Sequence, residues 1–250
     1  MVRTPADPPE RTARSLVKPI VVGLVGLAVV ITGGFLVKGW SAGITWERSV
    51  LLAINAQHSP VLNGVTDVFN IGFSPVWAFA VVVVIMAIMV VARRRLGLAL
   101  LTGVAIGITY LPVAVIKVIV GRPRPAPLPY IVPGLAPETD PGFPSGHVGV
   151  VTAMVVVLVL MTRRTSRRWV VLIVGGLVVV ATALSRMYAG AHYPFDVIAS
   201  VVYVGTVGPM MVAILTWLEQ RWAVVDRLDR WMAQRWPLVS SRDPGGGSPD

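Results

Sequence analysis

Long apolar runs broken by short polar islands set the pattern of this chain. Residues 19–37 carry no charge and match the roughly 20 residues that cross a bilayer as a helix. Further uncharged or nearly uncharged runs cover about 75–92, 96–119, 147–162, 169–187 and 195–217. Pro112 is placed to kink the run 96–119. Between the first two runs, Val50, Leu51, Ile54, Val61, Leu62, Val65 and Phe69 recur at helical spacing among polar residues. With Pro60 as a break and Trp40 and Trp46 as interfacial anchors, that stretch predicts one or two amphipathic helices lying on the membrane surface. The segment 120–146 holds eight prolines and is expected to be a loop. Residues 1–18 and 221–250 are polar, the second with amphipathic character around Leu228, Trp231 and Met232 before a Gly/Pro/Ser string. Both read as tails, disordered at their ends.

Composition sharpens this picture. The chain of 250 residues is 55% hydrophobic and 14% charged, where a soluble domain carries about a quarter charged residues. The expectation is an all-α, six-span transmembrane helical bundle, one domain covering 19–220. Basic residues preceding 19–37 resemble a signal peptide, but the run is long for one and no A-x-A site follows, so it reads as a retained span. No cysteine is present, which excludes disulfides and thiolate chemistry. The net charge of +10 is scattered between apolar runs rather than massed on one face, which argues for membrane topology and against nucleic acid. Placing both termini and the 93–95 and 163–168 connections on one side puts 16 of the 22 Lys and Arg there. By the positive-inside rule that side is cytoplasmic, and the amphipathic helices fall on the outer face.

The polar islands then share the outer face, and ionisable groups at membrane depth are usually there for function. The first island is Lys117 with Arg124, the second Pro144-Ser145-Gly146-His147, the third Ser185-Arg186 with His192 and Asp196. A spacing of four puts His192 and Asp196 on one helix face, where a carboxylate can fix the imidazole tautomer and leave the other nitrogen as base or nucleophile. An interfacial His beside an Asp that only caps a helix has the same spacing. Ser145 suits an N-cap, Gly146 allows close approach of a ligand, and a helix start with His147 behind it makes an anion site or simply a capped helix end. Lys117, Arg124 and Arg186 are cations suited to phosphate oxygens. Lys38 and Arg122 read as snorkelling to lipid head groups, and Glu138 and Asp140 as solvated loop charges. No residue cluster suggests a metal site or a cofactor. The set matches metal-free phosphoryl transfer by positioning and charge stabilisation.

K-x6-R-P from Lys117 to Pro125, P-S-G-H at 144–147 and S-R-x5-H-x3-D from Ser185 to Asp196 resemble the three signature motifs of the type 2 phosphatidic acid phosphatase (PAP2) superfamily. The resemblance implies that His192 attacks phosphorus to give a phosphohistidine, with Asp196 orienting it. His147 would protonate the leaving oxygen and then activate water, while Lys117, Arg124, Ser145, Gly146 and Arg186 hold phosphate oxygens. The implied substrate is a lipid phosphate or diphosphate in the outer leaflet: a polyprenyl diphosphate such as undecaprenyl diphosphate, phosphatidic acid, or phosphatidylglycerol phosphate. A phosphotransferase of the same fold and a non-enzymatic lipid-binding or transport protein are the alternatives. The abundance of Val, Ala, Gly and Arg suggests a bacterial chain, hence a plasma-membrane location.

Overall fold

A computed structural model describes residues 14–235 apart from 134, 136 and 137, and every described secondary-structure element is a helix. In order they are α1 (Arg14–Gly39), α2 (Ser41–Asn55), α3 (Pro60–Gly72), α4 (Pro75–Arg93), α5 (Leu96–Tyr110), α6 (Pro112–Val120), α7 (Gly146–Thr162), α8 (Arg167–Tyr188), α9 (Pro194–Trp222) and α10 (Val224–Arg235). Four stretches are long and apolar enough to cross a membrane: Ser15–Gly39, Leu96–Val120, Arg167–Tyr188 and Pro194–Gln220. The pair α3 and α4, meeting at a bend of 72°, makes a fifth if it crosses as one. Six were expected, at 75–92 and 147–162 among others. There the chain forms the apolar helices α4 and α7, and α7 has only 17 residues. At about 1.5 Å per residue α7 spans about 26 Å, a little less than the ~30 Å hydrocarbon core.

Prolines punctuate the helices where their missing N–H costs nothing. Pro60, Pro75, Pro112 and Pro194 each stand in the first turn of a helix. Pro112 thus separates α5 from α6 within a single apolar stretch, as its position predicted. Gly121 ends α6 at a φ of +58, donating its N–H to the Lys117 carbonyl at 2.8 Å, a conformation that suits glycine. The segment from Gly121 to Ser145 then runs without helix among its described residues, as its prolines require. Its two ends are pinned together by Gly142 N–H donating to the Arg122 carbonyl at 2.8 Å.

The bundle core lies where α1, α5, α7, α8 and α9 meet, and Ile116, Val148, Val151, Ala153, Tyr203 and Val204 are buried within it. Small residues let α1 approach α9 closely. A Cβ on Gly26 would come within 2.0 Å of the Thr206 hydroxyl. At the other end, α10 docks on the start of α5 through Asp229, which accepts from Arg95 at 2.9 Å and from Gly97 N–H at 2.7 Å.

Two expectations change here. Residues 38–74 do form two helices broken at Pro60, but α2 does not merely float on a surface. Gly43, Glu47, Leu51 and Asn55, four apart, form a buried stripe along it. Asn55 exchanges hydrogen bonds with the Tyr130 backbone, at 2.9 and 3.1 Å, and so straps the proline-rich loop to α2. The expected tail 1–18 is helical from Arg14 onward, and its first 13 residues lie outside the described ones. In the expected tail 221–250, α10 supplies the amphipathic helix, while 236–250 lie outside the described residues.

Candidate active site

The polar islands meet at one end of the bundle. Lys117 comes from the last turn of α6, Gly146 and His147 from the start of α7, and Arg186 from the last turn of α8. Arg124 and His192 come from the connections before α7 and α9. Lys117, Arg124, Gly146, His147 and His192 line a single cavity of about 580 Å³, with Asn70, Tyr110, Glu138, Asp140 and apolar residues including Phe73 and Trp77.

His192 is buried, and its ring is fixed from both sides. Nδ1 lies 2.8 Å from the Gly142 carbonyl oxygen, which can only accept, so Nδ1 carries the proton and Nε2 the lone pair. Nε2 stands 3.1 Å from Nη1 of Arg124. Burial, followed by the charges of Arg186, Arg124 and Lys117, holds the imidazole pKa well below its usual value, so the ring is neutral at physiological pH.

Asp196 does not share a helix face with His192, as the spacing suggested, because the helix starts at Pro194 and leaves His192 outside it. Its Oδ2 is 3.6 Å from Nδ1 of His192 and accepts from the Tyr193 N–H at 2.8 Å. Its Oδ1 accepts from Nη1 of Arg122 at 2.6 Å. Arg122 therefore is not a snorkelling side chain. It is 1% exposed, pairs with Glu47 as well as Asp196, and lies with its guanidinium carbon 4.5 Å over the Tyr193 ring. Burial lowers its pKa, and Glu47 and Asp196 more than offset this, leaving it raised. Lys38, in contrast, is exposed and donates to the Val120 carbonyl at 2.8 Å.

The three cations are met by loop carboxylates. Lys117 donates to Asp140 and to the Pro141 carbonyl, both at 2.6 Å. Arg124 contacts Asp140 and Glu138, both at 2.6 Å, and the Ala191 carbonyl at 2.8 Å. Arg186 pairs with Glu138 and with the Asn70 side chain. Glu138 and Asp140 are thus counter-ions of the cationic cluster and not merely solvated charges. Burial raises the Asp140 pKa, but hydrogen bonds from Lys117 and Arg124 bring it down to about 2. Glu138 is likewise lowered, burial being outweighed by Arg186 and Arg124.

Ser145 precedes α7 as expected, yet its hydroxyl caps nothing: it is buried without a hydrogen-bond partner. Its N–H donates to the Asp196 carbonyl at 3.1 Å, which ties the start of α7 to α9. With no side chain capping α7, its first-turn N–H groups are left for a ligand. His147 Nε2 lies 3.1 Å from the Asn70 carbonyl. Among the described residues no group of three or more His, Asp or Glu could hold a metal ion.

Two residues that sequence reasoning passed over, Glu47 and Asn70, belong to this end of the molecule, together with Arg122, which it read as a snorkelling cation. Glu47 left a signal, an acid in the four-residue stripe of α2 otherwise flanked by apolar positions. Asn70, at the end of α3, left none.

A family model of the PAP2 superfamily matches residues 95–221, just over half of the chain. Among solved structures, the fold is similar to the crystal structure of a transmembrane PAP2 type phosphatidylglycerolphosphate phosphatase from Bacillus subtilis. That likeness has a TM-score of 0.63 and 21% sequence identity, over 82% of this chain and 96% of that one. At such identity it speaks for the fold alone. No curated protein matches the chain.

Proposed function

The chain belongs to the PAP2 superfamily, and from that premise we propose that it is a lipid phosphatase acting through a phosphohistidine on His192. The observation that carries the reading is the neutral His192 ring, its Nε2 lone pair beside Arg124 in a cavity also lined by Lys117 and His147. In the first step Nε2 attacks phosphorus, the bond from phosphorus to the lipid-side oxygen breaks, and a proton from His147 goes to that oxygen. The Asn70 carbonyl holds the Nε2 proton of His147, so Nδ1 is the nitrogen that exchanges a proton: it takes one up from the incoming phosphoester or from water, the phosphate charge favouring the imidazolium, and delivers it to the leaving oxygen. In the second step that nitrogen takes a proton from water as the water oxygen attacks phosphorus, the N–P bond breaks, and phosphate leaves. Lys117, Arg124 and Arg186, with the Ser145 hydroxyl and the α7 N–H groups from Gly146, stabilise the phosphoryl oxygens. Glu138 and Asp140 must give up their cations as the phosphate arrives. The Gly142 carbonyl and Asp196 face the positive charge that forms on His192.

The lipid tail leaves the cavity past Phe73 and Trp77, and the substrate is a phosphomonoester or diphosphate of a lipid. We place the chain as a six-span protein with both termini cytoplasmic and the site on the outer face, from its Lys and Arg distribution. The test is phosphate release by detergent-purified protein, with EDTA, from phosphatidic acid, phosphatidylglycerol phosphate and undecaprenyl diphosphate, beside His192→Ala. Release that resists EDTA and vanishes in the variant is expected. Activity surviving in His192→Ala would overturn the nucleophile. Phosphate passed to an added alcohol, rather than to water, would mark a transferase.

A further inference from the structure

Glu47, Arg122 and Asp196 form a chain of three charged side chains, each at most 1% exposed, next to the His192 ring. Glu47 does more than neutralise Arg122. Its Oε1 also accepts from the Phe195 N–H at 2.9 Å, one of the free amides at the start of α9. Asp196 fixes the neighbouring amide, Tyr193 N–H, through Oδ2. The backbone on either side of Pro194 is therefore held by two carboxylates that are joined through one guanidinium. His192 precedes this clamped segment by a single residue. Glu47 reaches it from α2, outside residues 95–221 that the family model covers.

Stability alone is a poor reason for this arrangement. Taking a buried ion triad out of water is costly, and apolar side chains of similar volume often serve stability as well or better. Arg122 even keeps a buried Nε without a partner. What the triad supplies is a fixed geometry and a formal charge of minus one beside a ring that turns cationic when Nε2 is phosphorylated.

We propose that Glu47 and Arg122 are positioning residues for the reaction at His192, setting Asp196 and the first turn of α9 so that Nε2 keeps its line of attack. This rests on the phosphatase reading above. Glu47→Gln keeps an acceptor for Phe195 N–H and removes the charge; Arg122→Gln breaks the link; Arg122→Lys keeps the charge and loses the fork. In steady-state phosphate release from the preferred lipid, kcat falls on the order of a hundredfold in Arg122→Gln, as expected for misplacement near 1 Å, with KM little changed. Arg122→Lys recovers part of the loss. Glu47→Gln shows the same split, and the double variant Glu47→Gln/Arg122→Gln is no worse than Arg122→Gln, since the two act in one chain. Thermal midpoints in detergent identify variants that are not folded, and should Arg122→Gln be one, the near-isosteric Glu47→Gln decides alone. An unchanged kcat in folded Glu47→Gln, a loss that falls on KM, or losses that multiply in the double variant would overturn the proposal. A wild-type protein that releases no phosphate would instead defeat the phosphatase reading itself.

Discussion

Asp140→Asn tests whether the loop carboxylates compete with phosphate for the same cations. In the resting structure Asp140 reaches Lys117 and Arg124 with its two oxygens, both at 2.6 Å. Its side chain is 54% exposed, so solvent screening limits what these pairs are worth. Exposed ion pairs contribute about 0.2–1 kcal/mol each, and about 1 kcal/mol in all is a fair discounted value for two short ones. An incoming phosphate must replace them, so freeing the cations tightens phosphate binding by about fivefold, from RT of about 0.6 kcal/mol. The competition does not titrate near neutrality. With its pKa at about 2, the carboxylate's contribution to the closed arrangement is full above about 4 and is lost only as pH falls through about 2. The assay is inhibition of lipid dephosphorylation by inorganic phosphate at pH 7, following the lipid product. At low salt the inhibition constant of Asp140→Asn falls about fivefold below wild type, and the gap narrows near 1 M salt, where the screening length is about 3 Å. An unchanged or higher inhibition constant would refute the reasoning, because Asp140 would then be orienting the cations for phosphate rather than occupying them.

Two further predictions address packing and pH. Gly26→Leu forces α1 away from α9, since a Cβ there meets Thr206 Oγ1 at 2.0 Å and Thr206 Cβ at 2.4 Å, and it lowers stability by about 1–3 kcal/mol; thermal unfolding in detergent reads this, with Gly33→Ala, which meets nothing within 4 Å, as the tolerated control. His192 is buried neutral with a lowered pKa, so the folded state binds fewer protons than the unfolded one and loses stability as pH falls below about 6.5. In His192→Asn the fall of the melting temperature between about pH 6.5 and pH 5 is therefore shallower, and an identical slope would show that the ring is protonated in the fold.

Much of this centre was legible because its residues carry their own chemistry. A Lys, two Arg and two His in an otherwise apolar chain are conspicuous, and Lys117, Arg124, His147 and His192 do line one cavity. The helices were legible for the same reason, since uncharged runs of this length have few alternatives to helix. What the chain hides is pairing at a distance. Arg122 and Lys38 looked alike as basic residues near apolar runs, and only the fold brings Glu47 across 75 positions to make Arg122 a buried partner of Asp196. The His192–Asp196 pair keeps its reach but not its helix face: Pro194 starts the helix after His192, yet Asp196 Oδ2 still lies 3.6 Å from Nδ1 of His192. The Ser145 hydroxyl, a natural cap by type, is instead left without a partner inside the site.

The tie between Glu47 and the start of α9 also has a consequence in time. Phe195 lies 148 residues beyond Glu47, so at roughly 5–20 residues per second a ribosome delivers it roughly 7–30 s later. Through that interval the nascent chain already holds the acid of α2, and later Arg122, Arg124 and His147, but not His192 or the amides that Glu47 is to fasten. The first-made part of the protein is a receptacle waiting for the last-made part. On the phosphatase reading, a chain that stalls or is cut before His192 has a half-built pocket and no nucleophile, so unfinished copies stay silent among the lipids that finished ones consume.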